Sequence, residues 1–434
     1  MADKELPSST THSPANSANN YRSNNQIALT SGTTLEQSGE WQGWQEWFNQ
    51  IYRRLMSDPA ISYALTVFMT HRLLLSALGA LFALIVPLEP PLGSSLLRDV
   101  SPNFWGPGFF LLAPWQRWDT NWYISIAQVG YDIGNGTTNF PPLYSFLIGL
   151  LGRLLLGQYM LAALLISNIA YIVALVYLYR LTLRHFSEAT ARTTVLFMVT
   201  FPSAFFLASG YTESLYLALT LAAFYYAEER HWYLVAFLVA LTGITRIQGI
   251  VLVLPLGYRY LQQINFNWRR FGWEGVALVL SPSLYALYMG WVYFILGDHN
   301  FGNHLAVIWH IKFAMPWESF FGGLFGFFNP SHVRTMVFNL LDLVTLTLFI
   351  SLTIIAAQRK FPTHYLIYSI VSLLIYLTRQ GTEDLFWMSM NRYLIMVFPA
   401  FMLMAQVTPR RFLKVSGAIQ AIWATLFIFW MWAG

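Results

Sequence analysis

After about forty residues rich in Ser, Thr and Asn, the chain becomes a succession of apolar runs separated by short polar turns. Residues 1–40 have no apolar core and read as a disordered tail. No apolar h-region follows the first residues, so no secretory leader is expected. From 41 to 58, Trp41, Trp44, Trp47, Phe48, Ile51, Tyr52 and Leu55 recur at helical spacing, with Arg53 and Arg54 on the polar side. That pattern predicts a helix lying in a membrane surface, and its arginines favour the cytoplasmic face. Residues 59–434 form the membrane domain.

The first span is predicted over about 63–87, with His71 and Arg72 in its first half. Residues 143–156 (LYSFLIGLLGRLLL) are apolar but short, because a crossing needs about 20 residues. Parity agrees with a surface position. If this segment crossed, the basic loop with Arg180, Arg184, His185 and Arg192 would fall outside; if it lies along the outer surface, that loop falls inside, as the positive-inside rule prefers. The remaining spans are predicted at about 159–182, 193–209, 213–228, 232–246, 248–262, 275–296, 335–357, 363–378, 393–408 and 415–433. The inner turns then hold Arg230; Arg259, Arg269 and Arg270; Arg359 and Lys360; and Arg410, Arg411 and Lys414. The expectation is an all-α polytopic protein of about eleven transmembrane helices, N-terminus inside and C-terminus outside. No internal repeat and no inverted-repeat symmetry of the transporter kind is visible.

Composition agrees with this class. Of 434 residues, 56% are hydrophobic and only 10% are charged, against about a quarter charged in soluble domains. The formal charge of +5 is scattered between apolar runs, which reads as positive-inside bias and not as a nucleic-acid surface. There are no cysteines. That excludes disulfides, thiolate catalysis and Cys-ligated zinc, and leaves the compartment open.

On this layout the outer face collects the unusual polar residues. One segment holds Trp115-Gln116-Arg117-Trp118-Asp119-Thr120-Asn121-Trp122-Tyr123 and continues to Gly130-Tyr131-Asp132 and Asn139-Phe140-Pro141-Pro142. A second is Ser209-Gly210-Tyr211-Thr212-Glu213-Ser214, a third Thr245-Arg246-Ile247-Gln248-Gly249. A fourth runs from Arg379-Gln380-Gly381-Thr382-Glu383-Asp384 into Met390-Asn391-Arg392-Tyr393. A fifth, between spans, carries Asp298, His299, His304, His310 and Lys312.

A carboxylate near the membrane is costly without work or a partner. A lipid-phosphate sugar donor would explain the pattern: its phosphate needs Arg or Lys, its sugar aromatic and hydrogen-bonding walls, and the acceptor hydroxyl a base. Asp119 is the candidate base. Arg117, Trp118, Tyr131, Tyr211, Glu213, Arg246, Gln248, Asn391, Arg392, Tyr393 and Lys312 are the candidate substrate-binding residues. Against each stands a structural reading: Asp119 as a salt bridge or helix cap, Glu213 as a first-turn carboxylate favoured by the helix dipole, the tryptophans as interfacial anchors. No Asp-x-Asp or His-x-x-x-His pattern is present, and the three loop histidines do not sit at i,i+4 spacing, so no metal and no cofactor is expected.

These segments resemble a known family. Arg117-Trp118-Asp119 with Gly130-Tyr131 and Asn139-Phe140-Pro141-Pro142-Leu143, then Phe205-Phe206…Tyr211-Thr212-Glu213-Ser214-Leu215, Thr245-Arg246…Gly249, and Asn391-Arg392-Tyr393-Leu394…Phe398-Pro399 are similar, in order, to the GPI mannosyltransferase 2 (PIG-V) family, a branch of the GT-C glycosyltransferases. The resemblance implies a GT-C-like bundle with juxtamembrane helices in the first extracytoplasmic loop. It implies inverting transfer of a sugar, usually mannose, from a polyprenyl- or dolichyl-phosphate, with Asp119 catalytic. The acceptor would be a glycolipid or cell-surface glycan, reached on the non-cytoplasmic side of the plasma membrane in a bacterium or of the endoplasmic reticulum in a eukaryote. The sequence departs from the family where Asn139-Phe140-Pro141-Pro142 stands in place of two aromatics before a single proline, where Asn121-Trp122-Tyr123 stands in place of a frequent histidine, and where Gln248 stands in place of a serine common after the Thr-Arg. A transporter or flippase for lipid-linked sugars, or a non-catalytic subunit of a glycosylation complex, is the competing expectation.

Overall fold

The computed structural model describes residues 32–85, 112–328, 333–381, 387 and 389–431, without side chains for 32–42 and 333–335. Two units are distinct, residues 1–57 and 58–434. The first is described by one helix, α1 (Gly32–Met56), which begins inside the polar stretch expected to be a tail. Trp44, Trp47, Phe48, Ile51, Tyr52 and Leu55 are exposed along it, and Trp47 packs edge-on against Trp44 and Phe48.

The second unit is a helical bundle. Its helices are α2 (Pro59–Ile85), α3 (Asp119–Val129), α4 (Pro142–Leu154), α5 (Tyr159–His185), α6 (Glu188–Thr200), α7 (Phe205–Ala208), α8 (Glu213–Glu228), α9 (Trp232–Gly243), α10 (Val253–Gln263), α11 (Trp273–Leu280), α12 (Ser283–Gly290), α13 (Phe301–Ile308), α14 (Pro316–Phe328), α15 (Val333–Gln358), α16 (Thr363–Leu377), α17 (Met390–Leu394), α18 (Phe398–Val407) and α19 (Phe412–Ile428). Among the described residues, four helical stretches are long and apolar enough to cross a membrane: Pro59–Ile85, Tyr159–His185, Trp273–Ile295 and Met336–Gln358. Shorter apolar helices accompany them: Pro142–Leu154, Trp232–Gly243, Thr363–Leu377, Phe398–Val407 and Phe412–Ile428. The chain is an all-α polytopic membrane protein.

Helix α5 is the central post and packs against α2, α4, α6 and α8. Small residues permit that closeness. Ala162, Ala163, Ala170 and Ala174 on α5 and Ala218, Ala222, Ala223 and Ala227 on α8 are all buried, and small side chains let apolar helices approach where lipid gives no hydrophobic push. Leu73, Leu74, Leu81, Leu84 and Ile85 on α2 face outward, a surface suited to lipid.

Several expected spans are broken. The run at 275–296 divides at Ser281-Pro282 and ends in a π turn over Trp291–Ile295; a proline removes a backbone donor and crowds the preceding turn. The run at 248–262 begins as a 3-10 helix, Ile247–Leu252. The run at 393–408 splits into α17 and α18 around a buried turn at Ile395–Val397. The one sheet described has two short strands, β1 (Lys312–Phe313) and β2 (Arg379–Gln380), paired antiparallel with Lys312 opposite Gln380 and Phe313 opposite Arg379. Hydropathy gave no sign of it. It joins the loop before α14 to the end of α16.

Candidate functional site

Asp119 is the first residue of α3, where the dipole favours a carboxylate. The residue before it, Trp118, has φ 49° and ψ −118°, a left-handed backbone that a bulky side chain adopts only under constraint. The turn that packs on α3 is Ser209–Thr212. Gly210 is required there, since a Cβ at that position would lie 2.7 Å from the Thr120 side chain. This close approach brings Tyr211, Thr212 and Glu213 beneath Asp119.

Arg392, on α17, joins the two acids. Its Nη1 lies 2.8 Å from Asp119 Oδ2 and its Nε 2.5 Å from Glu213 Oε1. Arg246 completes the group: its Nη1 donates to Glu213 Oε1 at 3.0 Å and to Thr212 Oγ1 at 2.7 Å. Arg246 is placed by the turn that closes α9, where Gly249 sits against Thr242 so tightly that a Cβ would lie 2.3 Å from its backbone. Gln248 is buried in the same turn. The guanidinium of Arg392 stacks 4.5 Å from the Tyr211 ring centroid and 5.0 Å from Phe206. The chain therefore holds four charged groups from α3, α8, the 245–249 turn and α17 in one buried cluster. The side chains of Glu213, Arg392 and Arg246 are 0%, 3% and 9% exposed; Asp119 is 20% exposed. Only Asp119 opens outward to an appreciable extent, and among the described residues no group bonds its second oxygen.

Several candidates turn elsewhere. Arg117 donates through Nε to Ile428 O, at the end of α19, and through Nη1 to Ala113 O and Gln116 O. Its guanidinium also stacks on Trp430 at 4.6 Å. Burial pulls it down to about 9, so it stays charged at neutral pH. It ties the Asp119 segment to the carboxyl end of α19. Lys312 lies on β1 with its side chain exposed. Trp118 packs edge-on against Trp430. Tyr131 donates to Phe140 O at 2.8 Å and Tyr211 to Arg117 O at 3.2 Å; both hold the loop, Tyr211 beside Arg392 and Tyr131 against Tyr288 and Trp291, away from the cluster. Glu383 and Asp384 lie outside the described residues.

Asn391 does not point into the cluster. Its backbone N–H and its Nδ2 both donate to Asp342 Oδ1, at 2.8 and 3.1 Å. Asp342 is a buried acid within α15, and it fixes the turn from which Arg392 projects. Sequence reasoning missed it, although a carboxylate inside an apolar run is itself a signal. Arg379 and Asp298 stood out as outer polar residues but not as site candidates: Arg379 donates to Tyr393 Oη at 2.6 Å, and Asp298 accepts from Thr138 at 2.6 Å with His304 at 3.5 Å. Among the described residues no group of three or more His, Asp or Glu side chains could hold a metal ion.

Residues 65–270 match the family model described as mannosyltransferase (PIG-V). The GPI mannosyltransferase 2 of Yarrowia lipolytica is 26% identical over 219 residues, which cover 49% of this chain and 57% of that one. The match thus spans a little over half the length of this curated relative. No solved structure matches the chain. The matched region contains Asp119, Glu213 and Arg246; Arg379 and Arg392 come from the other part of the chain.

Proposed function

We propose that this chain, which is similar over residues 65–270 to the PIG-V mannosyltransferases, transfers mannose from a polyprenyl- or dolichyl-phosphate to a glycolipid or cell-surface glycan, with inversion and with Asp119 as general base. The observation that carries this reading is the division of labour between two acids. Glu213 is sealed between Arg246 and Arg392 and has no path to an acceptor. Asp119 is held through Oδ2 by Arg392 and presents Oδ1 outward. The acceptor hydroxyl oxygen attacks the anomeric carbon, its proton passes to Asp119, and the bond from that carbon to the phosphate oxygen breaks. The departing lipid phosphate gains charge, which guanidinium groups neutralise. The reaction takes place on the non-cytoplasmic side, at the membrane surface, in the plasma membrane of a bacterium or the endoplasmic reticulum of a eukaryote.

Two measurements test this. Asp119→Asn is nearly isosteric. General-base catalysis contributes about 10²–10⁴-fold, so transfer of radiolabelled mannose from the lipid phosphate into a membrane glycolipid extract should fall at least about a hundredfold, with donor binding little changed. Retained turnover would remove Asp119 from the chemistry. For sidedness, the chain is free of cysteine, and Ile133 and Ser187 are both exposed. Single cysteines at these positions should react with an impermeant maleimide from opposite faces. Reaction from one face would overturn the layout that puts Asp119 outside.

A further inference from the structure

Arg246 and Arg392, two of the basic candidates for substrate binding, are already engaged with Glu213 and, for Arg392, with Asp119. A third guanidinium lies at the same place and has no acidic partner among the described residues. Arg379 donates from Nη1 to Tyr393 Oη at 2.6 Å and stacks 4.9 Å from that ring's centroid. Arg246 lies 5.3 Å and Arg392 6.0 Å from the same ring. Three guanidinium groups therefore surround Tyr393, while two carboxylates answer them. Asp342 bonds Asn391 and no guanidinium. Among the described residues Arg379 has no ion pair, so the described groups around Tyr393 carry one positive charge in excess.

The position of Arg379 is enforced. Its residue pairs with Phe313 across the two-stranded sheet, its carbonyl accepts from Ser319 Oγ at 3.3 Å, and the neighbouring Thr378 carbonyl accepts from Ala314 N–H at 2.9 Å. Its side chain is held half-buried on an aromatic ring. A fixed, half-buried cation beside a membrane is costly unless an anion completes it. The Tyr393 hydroxyl accepts from Arg379, and no described acceptor takes its proton, so it can donate as well.

We propose that Arg379 and Tyr393 form the anion anchor of the donor site and select a lipid phosphodiester, whose single negative charge balances the excess. This rests on the reading of the chain as a lipid-phosphate sugar transferase. Arg392 then keeps Asp119 and Glu213 in place, and Arg379 meets the phosphate.

The test is equilibrium binding of radiolabelled polyprenyl-phosphate mannose to the full chain in nanodiscs, alongside an uncharged polyprenyl mannoside. Charge-assisted contacts of this kind correspond to about 10–100-fold in affinity. Arg379→Gln should weaken the phosphodiester by that factor and leave the uncharged mannoside unchanged, so that the preference for charge collapses; a merely structural arginine would move both alike. Arg379→Lys should restore most of the affinity. Arg359→Gln, at an exposed position in a turn between helices, should bind as wild type. If Arg379→Gln fails to fold, Tyr393→Phe decides, with a loss of about threefold to tenfold for the phosphodiester alone. Unchanged phosphodiester affinity in these variants overturns the anchor while leaving the transferase reading intact. Failure of the wild-type chain to bind the phosphodiester at all overturns both.

Discussion

Helix α8 begins and ends on an acid, and each acid holds two basic groups. Glu213 binds Arg246 and Arg392. Glu228, about 22 Å away at 1.5 Å per residue, binds Arg259 at 2.6 Å and lies 3.0 Å from His364. The physics differs. Glu228 sits where the helix dipole disfavours a carboxylate, so its basic partners are needed simply to hold it. It is joined by partly or fully exposed pairs, Asp58–Arg180, Arg184–Glu229 and Glu188–Arg192. Glu213 sits where the dipole already favours it, and yet it is fully buried with two arginines and leads on to a second acid. Local electrostatics account for the charges at one end of the helix and not at the other. That surplus is what supports the proposal that the end carrying Asp119 is the working one.

Breaking the first cluster should cost most after loss of Asp119 itself. Arg392→Ala leaves Glu213 buried with one partner and frees Asp119, so a loss of about 3–5 kcal/mol in unfolding free energy is expected, together with loss of transfer; a melting curve and an initial rate suffice. Read from the sequence alone, Glu213 is a first-turn carboxylate worth about 1 kcal/mol; its complete burial moves Glu213→Gln into the same larger range. Glu228→Gln should lower stability by about 1–3 kcal/mol and leave turnover unchanged, and a turnover loss like that of Glu213→Gln would erase the distinction between the two ends. Smallest is Asp58→Asn. Its pair with Arg180 is one-third exposed on each side, and such pairs contribute about 0–1 kcal/mol, so both melting and turnover should stay close to wild type.

Much of this was legible along the chain. Apolar runs and charged turns fix the class of protein, and most helices begin and end where turn residues and charges place them. The segment around Asp119, the Tyr-Thr-Glu turn, Thr245-Arg246 and Asn391-Arg392 stand out as polar groups at the ends of apolar runs, and the structure brings Asp119, Glu213, Arg246 and Arg392 into contact. What periodicity reports is which face of a helix avoids water. It carries no information about which distant turn meets which, because that depends on how closely the helices pack. So the sequence could not show that Arg392 would bridge Asp119 and Glu213, or that Arg117, two residues from Asp119, would turn away to the end of α19. Nor could it show that Asp342 would hold the α17 turn, or that a two-residue strand pair would carry Arg379 to Tyr393. Each of these is a contact between segments far apart in the chain, made possible by glycines and alanines that let backbones approach, and decided only when the bundle closes.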